Sequence, residues 1–291
     1  MERAGERFEA VERMGEAARF RLGSARTLVV KVGTSTVAYR GGSLNYSSLD
    51  QVVRGVADLW NEGRRVLLVS SGAIASGLAK LGLKRRPGRI VDKQALAAVG
   101  QAILMQAYEK LFAEYGRTVA QVLLTYQDLD DRVRRKNARN TLLRLLDWGV
   151  VPVINENDTV AVEEINFGDN DILSAMVASL LPADLLVILT DVEGLYTGEP
   201  SLPGSRRLSF VPEITPELEQ ASQGRGSPLA RGGMASKLMA ARLAGKAGVP
   251  TVVAPGYRRG VLREILEGED VGTLFAASAE EEPSRKVGEA R

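Results

Sequence analysis

Residues 27–36 read TLVVKVGTST, an apolar run interrupted by one lysine and closed by glycine and three hydroxyl residues. A run that is continuous rather than alternating suits a strand buried on both faces, and Gly33-Thr34-Ser35 turns the chain away from it. Five further apolar runs rich in β-forming residues follow, several of them continuous in the same way: Arg65–Val69, Thr118–Leu124, Val150–Ile154, Leu185–Thr190 and Thr251–Ala254. Between them lie helical patterns at Ser47–Asn61, Asp92–Tyr115, Asp131–Trp148, Ile172–Leu181 and Gly232–Ala247, most of them closed by glycine. Strand–helix alternation predicts an α/β fold, a three-layer α/β/α sandwich around a mainly parallel sheet.

Two stretches break this rhythm. Thr159–Asp171 is polar and acidic, and Gly198–Gly233 carries five prolines with a helical patch near Pro216–Ser222. Loops this long are expected to be functional or mobile. Residues 1–24 read as an N-terminal extension, a short solvated or frayed helix. Residues 25–276 read as the folded domain, and the polar segment 277–291 as a disordered tail.

Composition restricts the chemistry. The 291 residues include no cysteine and no histidine. Thiol catalysis, disulfides, a Ser-His-Asp triad and His- or Cys-ligated metals are excluded. Lys+Arg is 38 against Asp+Glu 36, a net charge of +2, which argues against nucleic acid as a partner. No apolar run has the roughly 18 residues of a membrane span, so no membrane association and a cytoplasmic location are expected.

In open parallel sheets, ligands bind beyond the carboxyl ends of the strands. The residues there are Lys31, Gly33, Thr34 and Ser35 after the first run, and Ser70, Ser71 and Gly72 after the second. Asn155-Glu156-Asn157-Asp158 follows the fourth, and Thr190-Asp191 ends the fifth. Neither GxxxxGK[ST] nor GxGxxG occurs. Arg231-Gly232-Gly233-Met234-Ala235-Ser236-Lys237 opens a helix, where free N–H groups and the positive dipole end suit an anion. Lys31 lies inside an apolar strand, where a cation is costly. Lys237 lies one turn into a helix N-terminus, where a cation is disfavoured. Two lysines in unfavourable places point to an anion between them. Each has a plainer reading, a snorkelling strand-end lysine and an exposed helix lysine. Gly168-Asp169-Asn170-Asp171 fails the calcium-loop pattern and reads as a turn and helix cap.

Together, VVKVGTST, VSSGAIASG, DKQALAAVGQAILMQAYE, NARNTLL, VVPVINENDTVAVEEINFGDND, LTDVEGLYT, GGMASKL and GVLREILEGEDVGTLF resemble the glutamate 5-kinase family of the amino-acid-kinase fold, from about Thr27 to Phe275. The resemblance implies ATP-dependent phosphorylation of the γ-carboxylate of L-glutamate, the first step of proline biosynthesis. It implies that Lys31 and Lys237 grip the transferring phosphoryl group and that Asp171 holds both lysines. Gly33, Thr190, Asp191 and the loop Arg231, Gly232, Gly233, Met234, Ala235 and Ser236 would bind the nucleotide. Ser71, Gly72, Asn155, Asp158 and Asn170 would bind glutamate. ATP and Mg²⁺ are the implied cofactors, with no protein metal site because the phosphates and water hold the ion. Inhibition by L-proline through the loop around Thr159–Phe167 and the glutamate site, a homodimer or homotetramer, and coupling to glutamate-5-semialdehyde dehydrogenase are further implications.

Two departures stand out. Many family members carry Thr where this chain has Arg231, which is expected to point to solvent. Many continue into a PUA domain, expected to be absent here. A kinase of another acid such as N-acetylglutamate, and a non-catalytic amino-acid sensor of the same fold, are the alternatives.

Overall fold

The computed structural model describes residues 2–85, 87–161, 170–181, 183–198, 201–223 and 233–277, with backbone alone at 2–9 and 220–223. Asp169, Arg231, Gly232, residues 162–167 of the inhibitor-linked loop and residues 278–291 of the expected tail lie outside the described residues.

The strands are β1 Thr27–Val32, β2 Arg65–Ser70, β3 Val119–Leu124, β4 Val151–Glu156, β5 Leu185–Thr190, β6 Phe210–Val211, β7 Thr251–Pro255 and β8 Thr273–Phe275. They form one eight-stranded sheet in the order β3-β4-β2-β1-β5-β7-β8-β6. Every neighbouring pair is parallel except β7 with β8. The chain fills the β2 side of β1 first and then adds β5 on the other side. The sheet therefore has its topological switch beside β1, and the crevice this opens lies beyond Val32.

The helices are α1 Glu2–Leu22, α2 Thr34–Val37, α3 Tyr46–Asn61, α4 Ala73–Lys80, α5 Ile90–Glu114, α6 Tyr126–Asp130, α7 Arg132–Asp147, α8 Asn170–Leu180, α9 Pro216–Gln223, α10 Met234–Lys246 and α11 Val261–Leu266. Alternation along β1 divides them into two layers. Val30 and Val32 pack in the core with Leu49 and Val52 of α3, Leu104 of α5 and Ile265 of α11. Val29 packs with Leu142 of α7, Val177 of α8 and Leu238 of α10. The period of two sends Lys31 to the face of Val29, towards α8 and α10.

Local signals account for the helix starts. Asp131 caps α7, accepting from the N–H groups of Val133 and Arg134 at 3.0 and 2.8 Å. At α3 the cap is Asn45, whose Oδ1 accepts from Ser48 N at 3.2 Å, so this helix begins earlier than its serine pair indicates.

Three features depart from the sequence reading. First, α1 is a 21-residue helix docked on the domain, not a short solvated one. Arg19, 3% exposed, donates to the carbonyls of Ser209, Glu269, Val271 and Gly272 at 2.8–3.1 Å. It also pairs with Asp270 at 3.1 Å. Second, β6 and β8 are too short to show a period in sequence. Third, α4 occupies glycine-bearing sequence in which no helical pattern is read. A Cβ at Gly100 of α5 would lie 1.8 Å from Ala73 O, and one at Gly77 would lie 2.0 Å from Leu96 O. Both glycines are there so that α4 and α5 can touch backbone to backbone.

Candidate active site

The N-terminus of α8 meets the carboxyl end of β1. Asp171, in the first turn of α8, has no exposed surface, and Lys31 and Lys237 are each 4% exposed. Lys31 Nζ lies 2.5 Å from Asp171 Oδ1, and Lys237 Nζ lies 3.3 Å from Oδ2. Ser236 Oγ donates to Oδ2 at 2.7 Å. Burial of ions is tolerated only with pairing of this kind. One carboxylate against two ammonium groups gives this trio a net charge of +1, which favours an anion beside it.

Strand and helix geometry brings this trio together. Lys31 reaches the α8 layer because β1 alternates. Lys237 is carried by α10, whose N-cap Gly233 adopts φ +68°. Lys237 Nζ also donates to Gly233 O at 3.5 Å. A Cβ on Gly33 would lie 3.7 Å from Lys31 Nζ, so the turn after β1 passes close to the ammonium. Thr190 ends β5 and is buried, donating from Oγ1 to Asp191 Oδ1 at 3.1 Å. Met234 is buried in the core with Leu238, which leaves its backbone rather than its side chain to face a ligand. Ala235 and Ser236 follow it in the first turn of α10.

Beside the trio is a cleft of about 800 Å³. Ser71, Gly72, Asn155, Asp158 and Asn170 all line it, together with Thr34 and Ser35 beyond Gly33. Gly72 adopts φ +107°, and a Cβ there would meet Val37 Cγ1 at 2.8 Å, so this turn requires glycine. Asn170 and Asp171 are consecutive, which places the cleft and the charged trio on the same turn of α8.

A chain of buried amides forms the back of the cleft. Asn170 Nδ2 donates to Ser70 O at 3.0 Å, to Ser71 Oγ at 3.0 Å and to Asn155 Oδ1 at 2.8 Å. Asn155 Nδ2 donates to Gln101 Oε1 at 2.9 Å. Ser70 Oγ shares a 2.8 Å hydrogen bond with the fully buried Tyr108, which ties α5 to the end of β2.

Four residues that the sequence reading did not assign also line the cleft or support it. Arg40 and Lys84 add cations to the wall, and Glu156 adds a carboxylate. Burial, aided by the nearby Asp158 charge, pushes the Glu156 carboxyl above its ordinary range. Gln101 belongs to α5. It is spaced four after buried Ala97 and three before buried Leu104, and a polar residue on that apolar stripe is the signal that could have found it. Arg40 and Lys84 lie in turns with no periodic signal.

A sequence model of the amino acid kinase family matches residues 26–255, from the residue before β1 to the end of β7. The chain belongs to the amino acid kinase family. Among its relatives are proteins named glutamate 5-kinase. One from Symbiobacterium thermophilum is 52% identical over 261 residues, covering 89% of this chain and 98% of that protein. One from Moorella thermoacetica is 51% identical over 269 residues, covering 92% of this chain and 71% of that protein. One from Clostridium tetani is 49% identical over 257 residues, with 88% and 96% covered. Solved structures share the amino acid kinase fold at 17% identity. A UMP kinase from Bacillus anthracis matches with a TM-score of 0.58, covering 88% of this chain and 97% of that one. A protein of Aeropyrum pernix K1 matches at 0.61, covering 87% and 100%.

Proposed function

We propose that this chain phosphorylates the γ-carboxylate of L-glutamate with ATP, giving L-glutamyl 5-phosphate and ADP. The carrying observation is the buried Lys31–Asp171–Lys237 trio at the head of an acceptor cleft, in a chain about half identical to proteins named glutamate 5-kinase.

The chemistry suits a chain without histidine. A glutamate carboxylate has a pKa of about 4.3, so it is ionised at neutral pH and needs no general base. Its oxygen attacks the γ-phosphorus of ATP. The bond from that phosphorus to the β–γ bridging oxygen breaks, and ADP leaves with the electron pair. The obstacle is to bring two anions together, and it is overcome by positioning and fixed positive charge. Lys31 and Lys237 hold the phosphoryl oxygens, and Asp171 fixes both ammonium groups. Gly33, Thr190, Asp191 and the N-terminal turn of α10 receive the nucleotide.

Among the described residues, no three Asp or Glu side chains cluster to cage a metal. Mg²⁺ would arrive on ATP, held mainly by phosphate and water oxygens, and would neutralise phosphate charge when bound.

Ser71, Gly72, Asn155, Asp158 and Asn170 hold the amino acid. Residues 25–276 act as one kinase domain, with the amino acid in its N-terminal part and ATP in its C-terminal part. Glu156 and Asp158 on the cleft wall favour an acceptor with a free ammonium over an N-acylated one. Inhibition by L-proline at the acceptor site, assembly into dimers or tetramers, delivery of the labile acyl phosphate to a dehydrogenase and a cytoplasmic location complete the proposal. No described helix is long and apolar enough to cross a membrane.

The test is a hydroxylamine trap with ATP, Mg²⁺ and a panel of L-glutamate, L-aspartate and N-acetyl-L-glutamate. Hydroxamate from glutamate alone is the expected result. Turnover of N-acetylglutamate in its place moves the assignment to another acceptor, and no turnover by folded, ATP-binding protein moves it to a sensor.

A further inference from the structure

We propose that Gln101, a residue of α5 that lies behind the cleft wall, is a positioning residue that sets the donor and acceptor sense of the acceptor site. The proposal rests on the functional reading above and deepens it.

Hydrogen-bond direction fixes the arrangement. Two backbone groups at opposite ends of the amide chain cannot be reversed. Glu156 N–H can only donate, and it donates to Asn155 Oδ1 at 2.9 Å. Ser70 C=O can only accept, and it accepts from Asn170 Nδ2 at 3.0 Å. The first fixes Asn155 with Oδ1 towards Glu156 and Asn170, and therefore with Nδ2 towards α5. A buried amide N–H₂ needs an acceptor there. Gln101 Oε1 is that acceptor, at 2.9 Å.

The opposite orientation of Gln101 would set two N–H₂ groups against each other. Gln101 is only 8% exposed, and its Nε2 has no hydrogen-bond partner among the described residues. A buried donor without a partner is costly.

The consequence reaches the ligand. With Asn155 held, the two hydrogens of Asn170 Nδ2 are shared among Asn155 Oδ1, Ser70 O and Ser71 Oγ. Ser71 Oγ is then an acceptor towards Asn170 and keeps its hydrogen to donate to a carboxylate. Asn170 keeps Oδ1 as an acceptor for an ammonium group. An α-amino acid carries both partners. Gln101 thus shapes recognition of the acceptor without touching it, and among the described residues no hydrogen-bond chain of this kind joins it to the nucleotide side.

The experiment is steady-state kinetics of the full chain with two variants, Gln101→Leu and Gln101→Glu. Leu keeps the volume and removes the acceptor. Glu keeps an oxygen facing Asn155, and burial favours its neutral acid form there, whose carbonyl accepts from Asn155 Nδ2 as the amide did. The expected result for Gln101→Leu is a rise of about tenfold in KM for glutamate with KM for ATP unchanged, the scale of one buried hydrogen bond. Gln101→Glu is expected to stay within about threefold of the parent, on the same scale.

An unchanged glutamate KM in Gln101→Leu overturns the proposal. So does an equal rise in both KM values, which is what loosened packing alone would give. Where Gln101→Leu does not fold, Gln101→Glu decides, and a glutamate KM raised tenfold or more in that variant overturns the proposal. Failure of the parent chain to use glutamate strikes the functional reading instead, a result separate from any variant effect.

Discussion

Asp171 of α8 and Lys31 of β1 meet at 2.5 Å with the carboxylate fully buried, and apart from Thr27 the other residues of that strand are aliphatic. Neither charge could occupy that place alone. The pair is completed by Lys237 and Ser236, both of which reach Asp171 Oδ2. Removal of Asp171 leaves two ammonium groups buried beside each other. Asp171→Ala is expected to lose about 3–5 kcal/mol of stability, the cost of breaking a buried pair. Urea unfolding measures it.

Lys237→Ala separates catalysis from folding. Asp171 keeps Lys31 and Ser236 as partners in that variant. The fold is expected to persist while kcat falls by about 10²–10³, the range for losing one group that stabilises transition-state charge. Near-parental kcat in folded Lys237→Ala contradicts the role given to it.

Glu156 supplies a pH signature. Burial, then the Asp158 charge, raises its pKa in the folded state. The native state therefore holds this proton in a window where the unfolded chain has lost it, and stability falls as pH rises through that window. Below the ordinary carboxylate range both states are protonated and the penalty is absent. Glu156→Gln is expected to melt higher than the parent at pH 7, with the difference closing as the pH approaches 4. Thermal melts across that range check it.

Arg19 holds α1 through four backbone carbonyls and Asp270. Arg19→Met keeps the aliphatic stem and abandons those acceptors. A loss on the order of 3 kcal/mol follows from leaving buried carbonyls unmatched. Specific activity of the folded fraction, by contrast, is expected to hold, since Arg19 does not touch the trio or line the cleft.

Gly100→Ala places a methyl 1.8 Å from Ala73 O. The contact cannot be relieved by a side-chain rotation, because the obstacle is backbone. The variant is expected to lose at least about 1–3 kcal/mol. Glutamate KM should rise as well, since Gly72 and Ala73 line the cleft. Denaturation and acceptor kinetics on the same preparation test both.

Much of this architecture is legible in the sequence, and the physical reason is burial. β1 and β5 have the bounds their apolar runs predict, because strands covered on both faces need uninterrupted aliphatic residues. Lys31 and Lys237 stand out because each occupies an unfavourable place. What was not legible depends on contact between distant segments. α4 hides behind glycines whose purpose appears only when Gly77 and Gly100 meet the other helix. β6 and β8 have too few residues for a period. α1 reads as solvated because most of its face is polar, and one arginine anchors it to carbonyls about 190 to 250 positions away. Gln101 lies 54 residues from Asn155, and no local pattern joins them.

In the proposed reaction the glutamate γ-carboxylate oxygen itself attacks the phosphorus. The direct measurement uses L-glutamate labelled with ¹⁸O in the γ-carboxylate, together with ATP, Mg²⁺ and hydroxylamine. Hydroxylamine attacks the acyl carbon and releases phosphate with the bridging oxygen attached. The account predicts inorganic phosphate carrying one ¹⁸O per hydroxamate formed. Unlabelled phosphate would contradict it, because ATP would then have been consumed without a bond between that carboxylate and phosphorus.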